Sequence, residues 1–192
     1  AAGIELRLDG TPGFSRDPAR AAPHNLFVDL DEAYPALEAP GPDQPYFDFG
    51  DLDVDETAVG QAGDLVLTFS PAQTTRLVTD GSRWSRDLPE PDGFAADTVV
   101  ALLVEQGTAG YLDPSGAPVP INVTEGSGTG WLAHGDTIVE IDWSKESADQ
   151  PWTFSTQGED VRVPPGRTYL ALLPVSTGSL EVVESDESPA AG

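Results

Sequence analysis

Short apolar runs in this chain are broken by turn residues about every 8–12 positions, the rhythm of a sandwich or jelly roll rather than of packed helices. The 20 Gly and 18 Pro among 192 residues supply the breaks. Between them, period-2 alternation recurs. Ile4, Leu6 and Leu8 alternate with Glu5, Arg7 and Asp9 and stop at Gly10-Thr11-Pro12-Gly13. Asp64 to Ser70 sets Leu65, Leu67 and Phe69 on one face, and Thr75 to Thr79 continues after Pro71. Asp97 to Gln106 is the most apolar stretch; short and β-branched, it is expected to be a buried strand.

Further strands are expected at 26–30, 46–50, 131–132, 137–143, 152–155, 160–163, 168–173 and 179–183, with a hairpin over 111–119 turning at Asp113-Pro114-Ser115-Gly116. Residues 11–25, 35–45 and 80–96 are expected as irregular segments or long loops. The fold class is therefore all-β, a jelly-roll-like β-sandwich in a single domain with long loops. Its organisation is a free-standing strand over 1–10, the sandwich over 11–183 and a polar tail over 184–192.

Charge says what surrounds the fold. There are 33 Asp and Glu against nine basic residues, of which only Lys145 is lysine, giving a net charge of -24. Such a surplus repels itself in dilute buffer, but molar salt shrinks the screening length to about 3 Å. With 39% hydrophobic residues, four Trp and seven Phe, a core is affordable and disorder is excluded. The composition fits a halophilic archaeon. Nucleic-acid and phosphate binding run against the electrostatics, so Gly126-Ser127-Gly128-Thr129-Gly130 is expected as a flexible hairpin tip.

Absent residues narrow the classes further. There is no cysteine for disulfides, zinc or thiol chemistry. No apolar run approaches the roughly 20 residues of a membrane helix, and the opening Ala1-Ala2-Gly3 without Met suits a removed leader. His24 and His134 lie in loops away from any nucleophile motif. No enzyme activity and no cofactor are expected. Asp48, Asp51, Asp53 and Asp55 are the weak candidates for a cation, since alternating oxygens suit Ca²⁺. Counted from Asp51, however, the EF-hand's sixth and twelfth positions fall on Glu56 and Ala62. The expected metal is none. Trp84, Trp131, Trp143 and Trp152 are expected mainly in the core rather than on a sugar platform. Asn122-Val123-Thr124 is an acceptor sequon, so Asn122 is the candidate for an N-glycan.

Three stretches carry a family likeness: Ala2 to Gly10, Phe47 to Asp53 and Val163 to Thr168. They resemble secreted fibre proteins of the TasA/camelysin type and archaeal bundling pili. The resemblance implies a secreted jelly-roll subunit that polymerises by donating an N-terminal strand. The expected function is thus a structural subunit of an extracellular pilus or biofilm fibre, used for adhesion or cohesion. Ile4, Leu6 and Leu8 would enter a neighbour's sheet, so the partner is a homopolymer of copies of the same chain. The alternatives are an edge strand kept within its own sandwich, and a monomeric surface domain that binds carbohydrate or another ligand.

Overall fold

The computed structural model describes residues 12–21, 25–33, 45–55, 59–89 and 93–183. The expected strand of Ile4, Leu6 and Leu8, His24 and the tail 184–192 lie outside those residues. The chain divides into two compact units, residues 1–43 and 44–192. In the first, β1 (Phe14–Arg16) pairs antiparallel with β2 (Leu26–Val28), followed by one helical turn, α1 (Leu30–Ala33). Asp29 caps that turn, its carboxylate accepting from the Glu32 amide at 3.1 Å. Gly13 is required beneath it, because a Cβ there would lie 2.5 Å from the Ala33 nitrogen.

The second unit is all-β, as the turn spacing implies. Its strands are β3 (Val59–Gln61), β4 (Asp64–Ser70), β5 (Gln73–Thr79), β6 (Trp84–Arg86), β7 (Thr98–Val104), β8 (Gln106–Leu112), β9 (Pro118–Asn122), β10 (Gly126–His134), β11 (Thr137–Lys145), β12 (Thr153–Thr156), β13 (Glu159–Val161), β14 (Thr168–Pro174) and β15 (Ser179–Val183). A seven-stranded sheet runs β13-β12-β11-β10-β7-β14, with β3 also pairing β11. A four-stranded sheet runs β15-β4-β5-β6, and β8 with β9 makes a separate ribbon. All pairs are antiparallel except β7 with β14, which run parallel from Thr98↔Thr168 to Val104↔Pro174.

At β7 the large sheet is covered on both faces, which explains the unbroken apolar run of that strand. Val100, Leu102 and Val104 join Leu132, Val139, Ile141 and Trp143 in one core. That core is closed by Phe47, Trp152, Phe154, Val161 and Val163, with Leu52 and Val54 packed against it. The segment carrying Phe47 and Phe49 bridges Trp152 and Val163 in parallel register. Val99, Ala101, Ala133, Ile138, Ala171 and Leu173 face the other way, onto Leu65, Leu67, Leu77 and Trp84 of the small sheet. Burying a side chain of this size contributes about 1.5–3 kcal/mol.

Several expectations are corrected: β1 falls within the irregular 11–25, β6 within the loop 80–96, and His134 ends β10 instead of lying in a loop. Gly126 to Gly130 is no hairpin tip but the first half of β10, paired with β11 from Gly126↔Lys145 onward. Its glycines give room instead of a turn. A Cβ on Gly128 would meet Trp143 Nε1 at 2.8 Å, and one on Gly130 would meet the Ala101 carbonyl oxygen at 2.4 Å.

Aspartates tie the loops. Asp80 accepts from the Ser82 hydroxyl and from the Ser82 and Arg83 amides; Asp113 accepts from the Ser115 hydroxyl and the Ser115 and Ala117 amides. Asp97 holds the Arg167 amide and the Arg83 guanidinium, each at 2.8 Å. The seryl hydroxyls at Asp80 and Asp113, and the Arg167 amide at Asp97, hold all three carboxyls below the ordinary aspartate range.

Candidate functional site

Four strands packed on seven leave part of the large sheet uncovered. The small sheet lies over β14, β7 and β10 and reaches β11 only at Ile138. Beyond that, β11 alternates: Val139, Ile141 and Trp143 are buried beneath the sheet, while Glu140 and Asp142 are exposed above it. The border is β15, whose neighbour among the described strands is β4. Leu180 and Val182 stand opposite Leu67 and Leu65 and so share their inward face, yet Val182 stays 42% exposed. Among the described residues this inward-facing valine is left partly uncovered.

A groove of about 560 Å³ runs along this border. Trp131, half-buried, and Ile138 provide its apolar part, with Thr129, Glu140 and Asp142 beside them and Val182 on the β15 side. A break in the sheet deepens it. β11 pairs with β3 through Thr137–Val139 and with β12 through Asp142–Ser144, so Glu140 and Ile141 fall between the two ladders. Val59 and Gly60 close one side of the break, and Thr156 and Gln157 the other. Gln157 holds a positive φ of 52° in a two-residue turn with Gly158, a conformation that favours Asn or Gly.

A second depression, about 510 Å³, is acidic. Asp51, Asp53 and Asp55 line it together with Glu159, Asp160 and Arg162, while Asp48 sits 3.4 Å from the Arg162 Nε. Three of the four sequence-marked aspartates therefore share one surface. Among the described residues, no group of three or more carboxylates, His or Cys is arranged to hold a metal.

The other marked residues have structural partners. His134 Nδ1 lies 3.0 Å from the fully buried Thr98 hydroxyl. Trp84, Trp143 and Trp152 are core residues, as expected, and only Trp131 reaches a groove. Asn122 is exposed at the end of β9, its side-chain oxygen accepting from Gln106 Nε2 at 3.1 Å.

The sole lysine departs from ordinary surface placement. Lys145 is 4% exposed, donates to the Gln150 carbonyl, and holds its ammonium 5.7 and 5.8 Å from the ring centres of Tyr46 and Trp152. Its signal was in the sequence, because it shares parity with Val139, Ile141 and Trp143. The groove had no such signal, since it depends on the unequal widths of two sheets.

Comparison with known proteins bears on the fold. A family model described as the C-terminal domain of a protein of unknown function (DUF3048) matches residues 61–170. No curated protein matches the chain. The crystal structure of the YerB protein from Bacillus subtilis is similar over 90% of this chain, with a TM-score of 0.60 and 18% identity. The match spans 60% of that chain's length, and the likeness is one of fold. Among the described residues, no helix is long and apolar enough to cross a membrane.

Proposed function

The chain belongs to the DUF3048 C-terminal domain family, and we propose that this member is a secreted structural subunit of an extracellular filament. An extended segment carrying Ile4, Leu6 and Leu8 from one molecule lies in the groove beside β15 of the next. The observation that carries the reading is the border of the sandwich: β15, which pairs only with β4 among the described residues, beside a groove with Trp131, Ile138 and Val182 on its walls. An added strand would gain main-chain hydrogen bonds from β15, and its alternate apolar side chains would cover these three residues. The acidic surface supports assembly in brine, where screening removes the repulsion between copies. Asn122, exposed on β9, is the site for an N-glycan in the same setting.

Electron microscopy in molar salt tests the reading. The intact chain should form filaments, and deletion of residues 1–9 should leave a folded monomer. Filaments that persist after the deletion would refute strand donation.

The groove also favours a second reading. Trp131 beside Glu140, Asp142 and Gln157 offers an apolar ring face flanked by hydrogen-bonding groups, the chemistry of a carbohydrate site. In that case the chain stays monomeric, and oligosaccharides quench Trp fluorescence in the intact protein but not after Trp131→Ala.

A further inference from the structure

The ribbon of β8 and β9 has two unlike faces. Gly107 pairs with Ile121, and Thr108 with Pro120, so these pairs point to opposite sides. A Cβ on Gly107 would touch Ile121 Cγ1 at 3.7 Å and Val123 Cγ2 at 3.8 Å, which puts all three on one face, with Val119 two residues before Ile121. Gln106, Thr108, Pro120 and Asn122 make up the other. On the apolar face Ile121 is 46% and Val123 41% exposed, while Gly107 and Val119 are half-buried.

Charge separates this ribbon from the rest of the molecule. Between Glu105 and Glu125 the only Asp, Glu, Lys, Arg or His is Asp113, whose carboxylate is engaged in the turn by Ser115 and Ala117. The whole chain carries 33 acids and a net charge of -24, nearly all of it outside the ribbon, so two copies repel over most of their surfaces. A cationic partner would be drawn to the carboxylates and away from the ribbon. A surface matched to it is both apolar and free of charge, and the ribbon of a second copy is one.

We propose that the Gly107–Val119–Ile121–Val123 face is a contact between copies of this chain, two ribbons stacking face to face. Two layers about 10 Å apart would give each ribbon the opposing layer that a lone two-stranded sheet lacks. The contact is small against the roughly 800 Å² per partner of a stable complex, so it is weak and reversible by itself. Salt strengthens it, both by screening and by favouring apolar burial. Asn122, on the opposite face, stays free to carry a glycan. The contact uses no residue of the 4–8 segment, so it is independent of strand donation.

The test is sedimentation of the intact chain in molar salt, with circular dichroism as the check on folding. Wild type should self-associate reversibly. Ile121→Asp should weaken association at least about tenfold, as loss of a central apolar contact does, and Thr108→Asp should leave it unchanged. Because the chain lacks cysteine, single thiols give a second readout. Val119→Cys should oxidise to a covalent dimer far faster than Thr108→Cys. Equal cross-linking from both positions, an unaltered constant for Ile121→Asp, or a wild type monomeric at every concentration would each overturn the proposal. Filaments lost on deleting residues 1–9 with the ribbon dimer retained would separate the two assembly contacts.

Discussion

Replacing Gly128 by alanine puts one methyl group where the structure has no space for it. The new carbon would lie 2.8 Å from Trp143 Nε1, 2.9 Å from its Cε2 and 3.0 Å from the Leu103 carbonyl oxygen. It would thus sit against the hydrogen bond that Trp143 Nε1 donates to Leu103 at 3.1 Å. Trp143 cannot retreat freely, since Trp152 packs edge-on against it with ring centres 5.0 Å apart. Losing that hydrogen bond while the groups stay buried costs about 1–3 kcal/mol. Overpacking adds about 1–3 kcal/mol, and the smaller entropy of the unfolded alanine chain returns about 0.4–1 kcal/mol. The net loss is about 1–5 kcal/mol, or roughly 2–20 °C in Tm for a unit of this size. Urea unfolding in molar salt, followed by Trp fluorescence, measures it. Trp143→Phe removes the atoms that collide, so the double variant should be less destabilised than the sum of the two single ones. Gly128→Ala within about 0.5 kcal/mol of wild type would refute the reasoning.

Three other outcomes follow from described geometry. Gln157→Asn should raise stability by about 0.5–1 kcal/mol, because Asn-Gly suits a turn with two positive φ values; the urea midpoint should rise with no change in slope. Lys145→Ala should cost about 2–4 kcal/mol, through roughly 0.8 kcal/mol for each buried methylene and the lost contact with Tyr46 and Trp152. Lys145→Met keeps the stem and should fall much closer to wild type by the same assay. The hydroxyls and amides that lower the Asp80, Asp97, Asp113 and Asp149 carboxyls make the ionised form the folded one. Their contribution is present above the unfolded aspartate value of about 3.9 and is lost as pH falls through the lower folded values. Asp113→Asn should flatten that acid limb, read as stability against pH between 5 and about 2.

What the sequence disclosed depended on whether a residue's neighbours were local. The alternation of Leu65, Leu67 and Phe69 marked β4, and the unbroken run of β7 marked a strand buried on both faces. Asp113 and Gly116 marked the β8–β9 turn. Glycine misled at 126–130, because its usual role in turns hid a period-2 pattern, Gly126, Gly128 and Gly130, that is itself a strand signal once a Trp lies opposite. The parallel match of β7 with β14 joins residues 70 positions apart, and no local pattern announces it. The groove was illegible for the same reason: Trp131, Ile138 and Val182 come from three strands far apart in the chain and meet where, among the described residues, the small sheet ends at β15.

The enclosure of Lys145 reaches into how this protein can be handled. Activated esters, the common route to fluorophores and biotin, attack amines, and the one side-chain amine here is shut behind aromatic rings. Thiol reagents find no target either. The native fold would pass through such labelling untouched except at a free α-amino group. Tagging at Lys145 would then serve as a clock that starts only when the β11 region opens.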